Sequence, residues 1–428
     1  MDFMSHRKGL FAAAAALAVT SASAQTTLFS DSFETDTSAD YTVANDGTPD
    51  GTQAFAFDYV AAGIPLAPRS GAGDLGGLRL TANDTIGSSD ALTAFHNTAV
   101  VEDRYRVTVD VWSNYMGATG STEFAHVGVG GDGATTNSLF LPITGSGAYI
   151  AFTGDGGSSS DFRWFRDAGN SPVGDGDSTT LPNSHPSYLG HGSNGSGAFF
   201  QALFPSPPST DAGSPGNIWT TLEIVVDNTA GVISFSFDGQ LTFRGDFLND
   251  FNGQVSLGHA DVFSSLSMSN NFTLYDNLLV ESLPALGSSY CAVVPNSTGS
   301  PAVLVGSGSD LVGTNDFTIH AQSLPLNTFG FFLVSADRDF VPMAGGSDGN
   351  LCIGLFGTGI GRGFGGAIVN SGPGGVMALS GDLAAIPQPM GPVPTLAGDT
   401  WNFQCWFRDA TGGPGGSNFS NGLGVTFN

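Results

Sequence analysis

The stretch from Trp219 to Gly239 constrains the fold more than any other part of the chain, because it predicts two strands joined by a tight turn. Apolar residues alternate with polar ones on both sides of a polar segment at 227–231. A period of two places the apolar side chains on one face of a β-hairpin. A twisted hairpin must bury that face, and a second sheet can cover it. We therefore expect a β-sandwich around this hairpin.

Composition points the same way. The chain has 62 glycines in 428 residues, about twice the usual share of roughly 7%. Helical periodicity is absent beyond the N-terminus, so we expect many short strands joined by tight turns. Hydrophobic residues make up 40% of the chain, which is enough to form cores, and the length suggests two or three domains.

Further strands are predicted where apolar residues alternate, or where short apolar runs lie between turn residues. They fall at 28–33, 55–59, 78–80, 105–112, 123–130, 148–152, 161–167, 241–244, 254–259 and 272–280. The segment 169–218 is rich in Gly, Ser, Pro and Asp and is too broken for a strand. It predicts a long excursion, and excursions of this length are commonly functional or mobile.

The first 24 residues are typical of a signal peptide. A positive stretch, His6-Arg7-Lys8, precedes an apolar run from Leu10 to Val19, and Ala22-Ser23-Ala24 fits the small-residue cleavage rule. The apolar run is shorter than the ~20 residues of a spanning helix, and no later segment is suited to span a membrane as a helix. We expect a secreted protein, extracellular or at the cell surface, whose mature chain begins at Gln25.

The charge of the chain argues against several partners. It carries 38 acidic and 12 basic residues, a formal net charge of −26. Such a surface repels phosphate backbones and anionic lipids, so we expect neither nucleic-acid nor membrane-surface binding.

The same surface attracts divalent cations, although solubility is the ordinary explanation for it. Calcium is the cation best suited to hard oxygen ligands near turns. The candidate ligands are Asp155, Asp161, Asp175 and Asp177. No EF-hand or repeat signature accompanies them, so no cofactor is expected, with calcium as the alternative.

Three motifs occur in order along the first two thirds of the chain: Phe-Ser-Asp-Ser-Phe-Glu at 29–34, Phe-Asp-Gly at 237–239 and Leu-Tyr-Asp-Asn-Leu-Leu-Val at 274–280. Residues 26–284 thereby resemble the laminin-G-like branch of the concanavalin A-like lectin/glucanase jelly rolls. Shorter motifs at 57–59, 77–80, 120–123 and 154–157 are similar to secreted bacterial domains of that type without an established function. The resemblance implies a jelly-roll-like antiparallel β-sandwich with its first and last strands close together.

After a linker at 285–289, the tail has its own motifs. They are Tyr-Cys-Ala-Val-Val-Pro-Asn-Ser-Thr-Gly at 290–299, Gly-Ser-Asp-Gly-Asn-Leu-Cys at 346–352, and aromatic segments at 397–404, 406–409 and 417–427. Residues 290–428 resemble a C-terminal module of many secreted proteins of environmental bacteria. Apolar runs at 317–321, 329–334 and 401–407 predict strands of a smaller β-sandwich. The fold class expected for the whole chain is all-β.

The chain has three cysteines, Cys291, Cys352 and Cys405. Export permits a disulfide, and one cysteine must be left over. The first two recur in the module that the tail resembles, so the resemblance implies a Cys291–Cys352 bridge. Cys405, between Phe403 and Trp406, is then expected to be buried and inert.

No catalytic constellation is apparent. Glycanases on the jelly roll resembled here place paired carboxylates on one strand in an E-x-D-x-E pattern, about 5 Å apart. That pattern is missing, and Glu223, on the polar face of the hairpin, is typical of a solvated strand residue. Gly345-Gly-Ser347-Asp-Gly349 matches G-x-S-x-G, but no helix can follow it, so we expect a turn. The histidines lack metal-site spacing. We therefore expect no enzymatic activity.

The lectin-like resemblance implies a binding function, with a polysaccharide or cell-surface glycan as ligand. Sugar rings stack on exposed aromatic rings, and carboxylates accept bonds from sugar hydroxyls. The candidate ligand-binding residues in or beside the excursion are Trp164, Tyr188, Phe199, Phe200, Asp155 and Asp161. Core packing competes for these rings, above all for Trp164. The alternatives are a structural, matrix or adhesion protein without a small ligand, and a glycan-active hydrolase with unrecognised residues.

Overall fold

The computed structural model describes residues 25–46, 50–116, 123–139, 143–167, 182–192, 195–205, 211–263, 270–354, 357–410 and 412–428. Antiparallel strands dominate this part of the chain, as an all-β fold requires. Within it, every helix is too short or too polar to traverse a bilayer. The predicted signal peptide at 1–24 lies outside the described residues.

The first part of the chain contains fourteen described strands and one short helix. The strands are β1 (Thr26–Asp31), β2 (Tyr41–Asn45), β3 (Gln53–Ala54), β4 (Leu78–Leu80), β5 (Asp90–Val100), β6 (Arg104–Asn114), β7 (Glu123–Gly131), β8 (Ala148–Thr153), β9 (Phe162–Arg166), β10 (Trp219–Asp227), β11 (Val232–Phe237), β12 (Gln240–Asp246), β13 (Gly253–Asp261) and β14 (Phe272–Ser282). The helix is α1 (Ala198–Leu203), and 3₁₀ turns lie at Ser38–Asp40 and Pro186–Tyr188.

These strands form two antiparallel sheets that pack face to face. The eight-stranded sheet has the order β12-β11-β10-β6-β14-β4-β3, with β1 also paired to β14, and the six-stranded sheet has the order β2-β5-β13-β7-β8-β9. The predicted hairpin is β10–β11, in register from Leu222↔Phe237 to Asp227↔Val232. Strand β1 pairs with β14. The predicted sandwich, its interior hairpin and its adjacent ends are confirmed.

The core lies between the two sheets and follows from the period of two. In β6, Tyr105, Val107, Val109 and Val111 are all fully buried. They belong to one cluster with inward residues of the six-stranded sheet such as Val127. Each side chain of this kind contributes about 1.5–3 kcal/mol when it is buried.

In the first part of the chain one predicted strand is wrong, and three strands, β2, β3 and β5, were not predicted. Residues 55–59 form turns after β3 rather than a strand. Their alternation arises because Phe57 and Tyr59 pack on the outer face of the eight-stranded sheet, where the Tyr59 hydroxyl donates to Asp276 at 2.9 Å. The sequence pattern did not predict β2 and β5. In β5 every residue from Asp90 to His96 is buried, so both of its faces are covered and alternation disappears.

The excursion closes one side of the sandwich. Strand β9 is an edge strand of the six-stranded sheet, and β12 is an edge strand of the eight-stranded sheet. Without a covering segment, the inward side chains between these two edges would be exposed to solvent. Tyr188 packs edge-on against Phe243 at 5.3 Å, and Phe200 stacks on Phe162 at 4.1 Å. The described residues of the excursion therefore supply core side chains.

The tail forms three further sheets. Its strands are β15 (Ser288–Tyr290), β16 (Val303–Gly308), β17 (Phe317–Gln322), β18 (Phe329–Ser335), β19 (Arg338–Val341), β20 (Leu351–Ile353), β21 (Gly361–Arg362), β22 (Val369–Asn370), β23 (Met377–Gly381), β24 (Thr400–Arg408), β25 (Ser417–Phe419) and β26 (Gly422–Thr426), with a helix α2 (Gly363–Gly366) and 3₁₀ turns at Val312–Thr314 and Ala344–Gly346. The largest sheet has the order β15-β26-β24-β18-β21, with β22 on β18 and β25 on β24. The order β16-β17-β23 forms a second sheet, and β19–β20 a third.

The predicted tail features are present. Strands β17, β18 and β24 contain the three predicted segments, and their inward residues form a separate core. Cys291 and Cys352 form a disulfide with Cα atoms 6.1 Å apart. Cys405 is free and fully buried, and burial raises the pKa of its thiol. The predicted pairing is confirmed.

The two parts of the chain touch. Arg244 on β12 donates to Asp316 at 2.7 Å, and Arg104 on β6 donates to the carbonyl of Gly308 at 2.6 Å. Strand β14 ends at Ser282 and β15 begins at Ser288, so the last two residues of the predicted linker belong to a strand. The connection outside strands is residues 283–287.

Candidate functional site

A pocket of about 330 Å³ opens on the outer face of the six-stranded sheet. Its floor includes Phe124 and Thr153, which are paired across β7 and β8. Both point outward, because the alternate residues Ala125 and Phe152 belong to the main core. We call this site the β8–β9 pocket. Its lining residues are Phe124, Leu139, Thr153, Asp155, Ser158, Ser160, Asp161, Arg163, Val262 and Phe263.

The polar wall is the turn between β8 and β9. Gly156 and Gly157 adopt φ values of 71° and 73°, which favour glycine. The carboxylate of Asp161 holds the turn, because it accepts the Ser158 amide at 2.8 Å and the Thr153 hydroxyl at 3.1 Å. Both of its oxygens are therefore engaged with the chain itself.

Asp161 is fully buried, which perturbs its ionisation. Burial, aided by the negative charge of Asp155, raises the pKa of Asp161 to about 7, although the bond from Ser158 opposes the shift. The adjacent backbone requires a glycine at 195, because a Cβ there would collide with Asp161 Oδ2. Near neutral pH Asp161 is thus present in both protonation states.

Asp155 differs from Asp161 in how its oxygens are used. Its Oδ1 is buried and has no hydrogen-bond partner among the residues that the structure describes. Burial raises the pKa of Asp155, and the nearby carboxylate of Asp211 adds to the shift. Hydrogen bonds from the Thr153 side chain and from the backbone amides of Asp155 and Gly156 oppose this shift, so the Asp155 carboxyl group is bonded to its own turn.

Arg163 adds hydrogen-bond donors to the same wall. It lies on β9 between the inward residues Phe162 and Trp164 and points to the outer face. Its Nη2 donates to the hydroxyl of Ser160 at 2.7 Å. The wall therefore combines donors with acceptors, as recognition of hydroxyl groups requires.

The opposite wall is apolar. Leu139, Phe124 and Val262 are almost fully buried, whereas Phe263 keeps 48% of its surface exposed. Phe263 follows β13, and its amide donates to Asp261 Oδ1 at 3.2 Å. An exposed ring beside polar groups can pack against the apolar face of a ring-shaped polar ligand.

The structure brings two of the predicted ligand-binding residues into this pocket, Asp155 and Asp161. Three of the predicted rings, Trp164, Tyr188 and Phe200, are at most 1% exposed. The interpretation of these three rings as exposed ligand-binding residues is wrong, because they are buried in the core at the side of the sandwich that the excursion covers. The Tyr188 hydroxyl accepts the Trp164 amide at 3.3 Å within the core.

Phe199 is half-buried and stacks on His191 at 3.6 Å. Two of the calcium candidates, Asp175 and Asp177, lie outside the described residues. Within the described ranges, no group of three His, Cys, Asp or Glu side chains gathers to hold a metal. Calcium binding stays a prediction.

The sequence did not identify Arg163 and Phe263. Arg163 had a signal, since Asp161 and Arg163 alternate with Phe162 and Trp164 and so share the outer face. No sequence signal marked Phe263, because it forms only an isolated apolar pair with Val262 after the strand and belongs to no alternating pattern.

The other motifs have structural roles. Ser347 lies in a turn before β20 and donates to the carbonyl of Ser417 at 2.8 Å, so the predicted turn is confirmed. The Glu223 side chain is 35% exposed and faces Arg106 at 3.5 Å. Burial lowers the pKa values of His126 and His259 to about 3, which keeps both neutral.

A second cleft, of about 620 Å³, lies on the outer face of the eight-stranded sheet between Trp112 and Trp219. Its polar atoms already serve the fold. The indole of Trp219 donates to the carbonyl of Pro65 at 2.7 Å, and the Asn217 amide donates to the carbonyl of Tyr115 at 2.7 Å. This cleft is less suited than the β8–β9 pocket to a hydroxyl-rich ligand.

No protein-family model and no curated protein matches the chain. Among solved structures it is similar to the potassium-bound carbohydrate recognition domain of Emp46p, at 9% identity over 56% of this chain and 88% of that chain, with a TM-score of 0.31. It is also similar to the VIP36 exoplasmic/lumenal domain in its Ca²⁺/Man3GlcNAc-bound form (10%, 58% and 86%, TM-score 0.32). A Bacillus subtilis protein of unknown function with a galectin-like fold gives 11%, 61% and 97%, with a TM-score of 0.30. Sequence identities and TM-scores this low carry no information about the residues of the β8–β9 pocket.

Proposed function

We propose that this chain is a secreted, non-catalytic glycan-binding protein whose β8–β9 pocket holds one sugar residue of a polysaccharide or cell-surface glycan. One observation carries the proposal: carboxyl groups, a guanidinium group and the exposed ring of Phe263 line one pocket, with the polar groups contributed by Asp155, Asp161 and Arg163. A sugar hydroxyl would donate to Asp155 while the C–H face of the sugar packs on Phe263.

The size and chemistry of the pocket support this proposal. A volume of about 330 Å³ is at the small end of ligand pockets, which suits one sugar ring better than a long segment. Arg163 supplies donors for sugar oxygens, and Ser158 and Ser160 supply hydroxyl groups on the same wall.

The use of Asp161 supports binding rather than hydrolysis. Glycoside hydrolysis needs two carboxyl groups that act on one bond. Both oxygens of Asp161 accept bonds from the turn, so this carboxyl group positions the wall, and Asp155 is the other carboxyl group among the described lining residues.

A glycan array with the chain from Gln25 tests the proposal. We expect binding that falls at least about tenfold in Asp155→Asn and Phe263→Ala, because a charge-assisted hydrogen bond and a stacking face are each worth about 1–3 kcal/mol. Asp103→Asn and Phe340→Ala are matched controls, since both residues are exposed and lie outside the pocket.

Three results would contradict the proposal. Absence of binding to every glycan on the array would favour the structural or matrix alternative. Binding unchanged in both pocket variants would move the site elsewhere. Release of reducing ends from a bound glycan would restore the hydrolase alternative.

A further inference from the structure

The polar wall of the β8–β9 pocket offers a ligand more hydrogen-bond donors than acceptors. Both oxygens of Asp161 accept bonds from the turn, and the Asp155 carboxyl group is bonded to its own turn. The serine oxygens are used as well, because Ser158 Oγ accepts the Ser160 amide at 3.2 Å and Ser160 Oγ accepts Arg163 Nη2 at 2.7 Å. Each serine hydroxyl group therefore has its proton left to donate.

Arg163 supplies the charged donors of this wall. A guanidinium group has five N–H donors, and within the part of the chain that the structure describes it bonds only to Ser160 and forms no ion pair. Arg163 is partly exposed, and its Nε and Nη1 are not among the buried polar atoms. A ligand in the pocket can therefore reach these donors.

A ligand that suits this wall brings acceptor oxygens without negative charge. Asp155 and Asp161 line the same pocket and the chain has a net charge of −26, so carboxylate and sulfate groups are repelled. A hydroxyl group brings a proton that needs an acceptor of its own. An amide carbonyl has two lone pairs and no proton, so it matches a wall of donors without leaving a polar group unpaired.

The apolar wall suits a methyl group beside that carbonyl. Phe124, Leu139 and Val262 line the pocket with the small part of their surface that stays exposed. Moving a methyl group from water onto such side chains is favourable. An acetamido group has a carbonyl oxygen and a methyl group on one carbon, so it can face the donors and the apolar side chains together.

We infer that the β8–β9 pocket selects sugars that carry an N-acetyl group over the same sugars with a hydroxyl or a free amino group at that carbon. Arg163 donates to the acetyl carbonyl, with Ser158 and Ser160 beside it, and the methyl group packs on Leu139 and Val262. This inference rests on the proposed function and narrows its ligand to N-acetylated glycans.

Isothermal titration with three β-1,4-linked tetrasaccharides tests the inference. They share one backbone and differ at the second carbon of each ring, which carries an acetamido, a hydroxyl or a protonated amino group. We expect the acetamido form to bind at least about tenfold more tightly than the other two, because it alone offers a carbonyl to Arg163. Salt at about 0.15 M, where the Debye length is about 8 Å, limits the general attraction of the acidic chain for the amino form.

Variants assign the preference to Arg163. Arg163→Gln should weaken binding of the acetamido form about tenfold and that of the hydroxyl form far less, so that most of the preference is lost. Arg163→Lys keeps a charged donor and should retain part of it. Arg408→Gln is the matched control and should keep the full preference, because Arg408 is an exposed arginine of the tail. If Arg163→Gln does not fold, the three ligands on the unmodified protein still decide.

The failures of the inference and of the proposed function are distinguishable. Equal affinities for the three forms, or tighter binding of the hydroxyl or amino form, overturn the N-acetyl inference and leave glycan binding standing. A preference for the acetamido form that folded Arg163→Gln keeps in full overturns it as well. Absence of glycan binding by the unmodified protein overturns both.

Discussion

At the scale of single residues, Asp161 links the fold to the pocket. Its carboxyl group is buried, yet it accepts two bonds from the turn that positions Asp155 and Arg163. Burial and the negative charge of Asp155 destabilise the ionised form of Asp161 and raise the pKa of Asp161 to about 7. The same residue therefore shapes the binding wall and makes the folded state sensitive to pH.

We expect the free energy of unfolding to fall as the pH rises from about 4 to about 7. Unfolded Asp161 titrates near 3.8 and folded Asp161 near 7, so the stabilisation from its bound proton is complete below about pH 4, decreases through this range and is lost above about pH 7. A shift of this size corresponds to a few kcal/mol. Urea unfolding at pH 4.5 and 7.5 measures the difference.

Asp161→Asn should show a smaller loss between these two pH values, even if the lost bond to Ser158 lowers its stability at both. Asp103→Asn is the control and should follow the unmodified protein. An unaltered pH dependence in Asp161→Asn would contradict the assignment.

At the scale of elements, the excursion completes the sandwich. A sandwich of two open sheets exposes its core where the edge strands do not meet, here between β9 and β12. The Trp164 ring fits beside β12 because Gly245 has no side chain, since a Cβ there would collide with the indole. A segment whose sequence predicts a loop thus covers the core between these two edge strands.

Two adjacent phenylalanines provide a matched test of this role. Phe200 is fully buried and stacked on Phe162, whereas Phe199 is half-buried on His191. Phe200→Ala should lower the free energy of unfolding by about 3–5 kcal/mol, and Phe199→Ala by clearly less. Thermal and urea unfolding measure both, and equal losses would contradict the closing role of Phe200.

The elements also show how far the sequence could predict the structure. Strands β6, β10 and β11 were predictable because one of their faces is buried and the other is polar. Strand β5 was not, because both faces are covered and its pattern carries no period. The pocket was half predictable: the Gly-Asp-Gly-Gly turn indicated Asp155, but no local pattern brings Phe263, over one hundred residues later, to the same place.

At the scale of the whole molecule, arginines join the two parts of the chain. Arg104 also bonds to the carbonyl of Pro284 at 3.0 Å and faces Asp227 at 3.3 Å, while Arg244 binds Asp316. Hydrogen bonds to charged groups contribute about 1.5–3 kcal/mol when partly buried. The tail is therefore held against the first sandwich by side chains as well as by the connection.

Arg244→Gln should loosen this contact without unfolding either part. We expect faster proteolytic cleavage within 283–287 and a larger radius of gyration in solution scattering. Arg362→Gln is the matched control, since Arg362 is exposed in the tail and packs on Phe331. Cleavage rates that match the unmodified protein would show that the contact does not hold the tail.

The pairing of β1 with β14 has a mechanical consequence. Thr26, where β1 begins, lies opposite Ser282, where β14 ends, so both points of attachment are at one end of the same antiparallel ladder. A pull between the N-terminus and the tail would load these pairs one after another instead of shearing them together. Under tension β1 would therefore peel away from β14 before the hairpin β10–β11 is loaded.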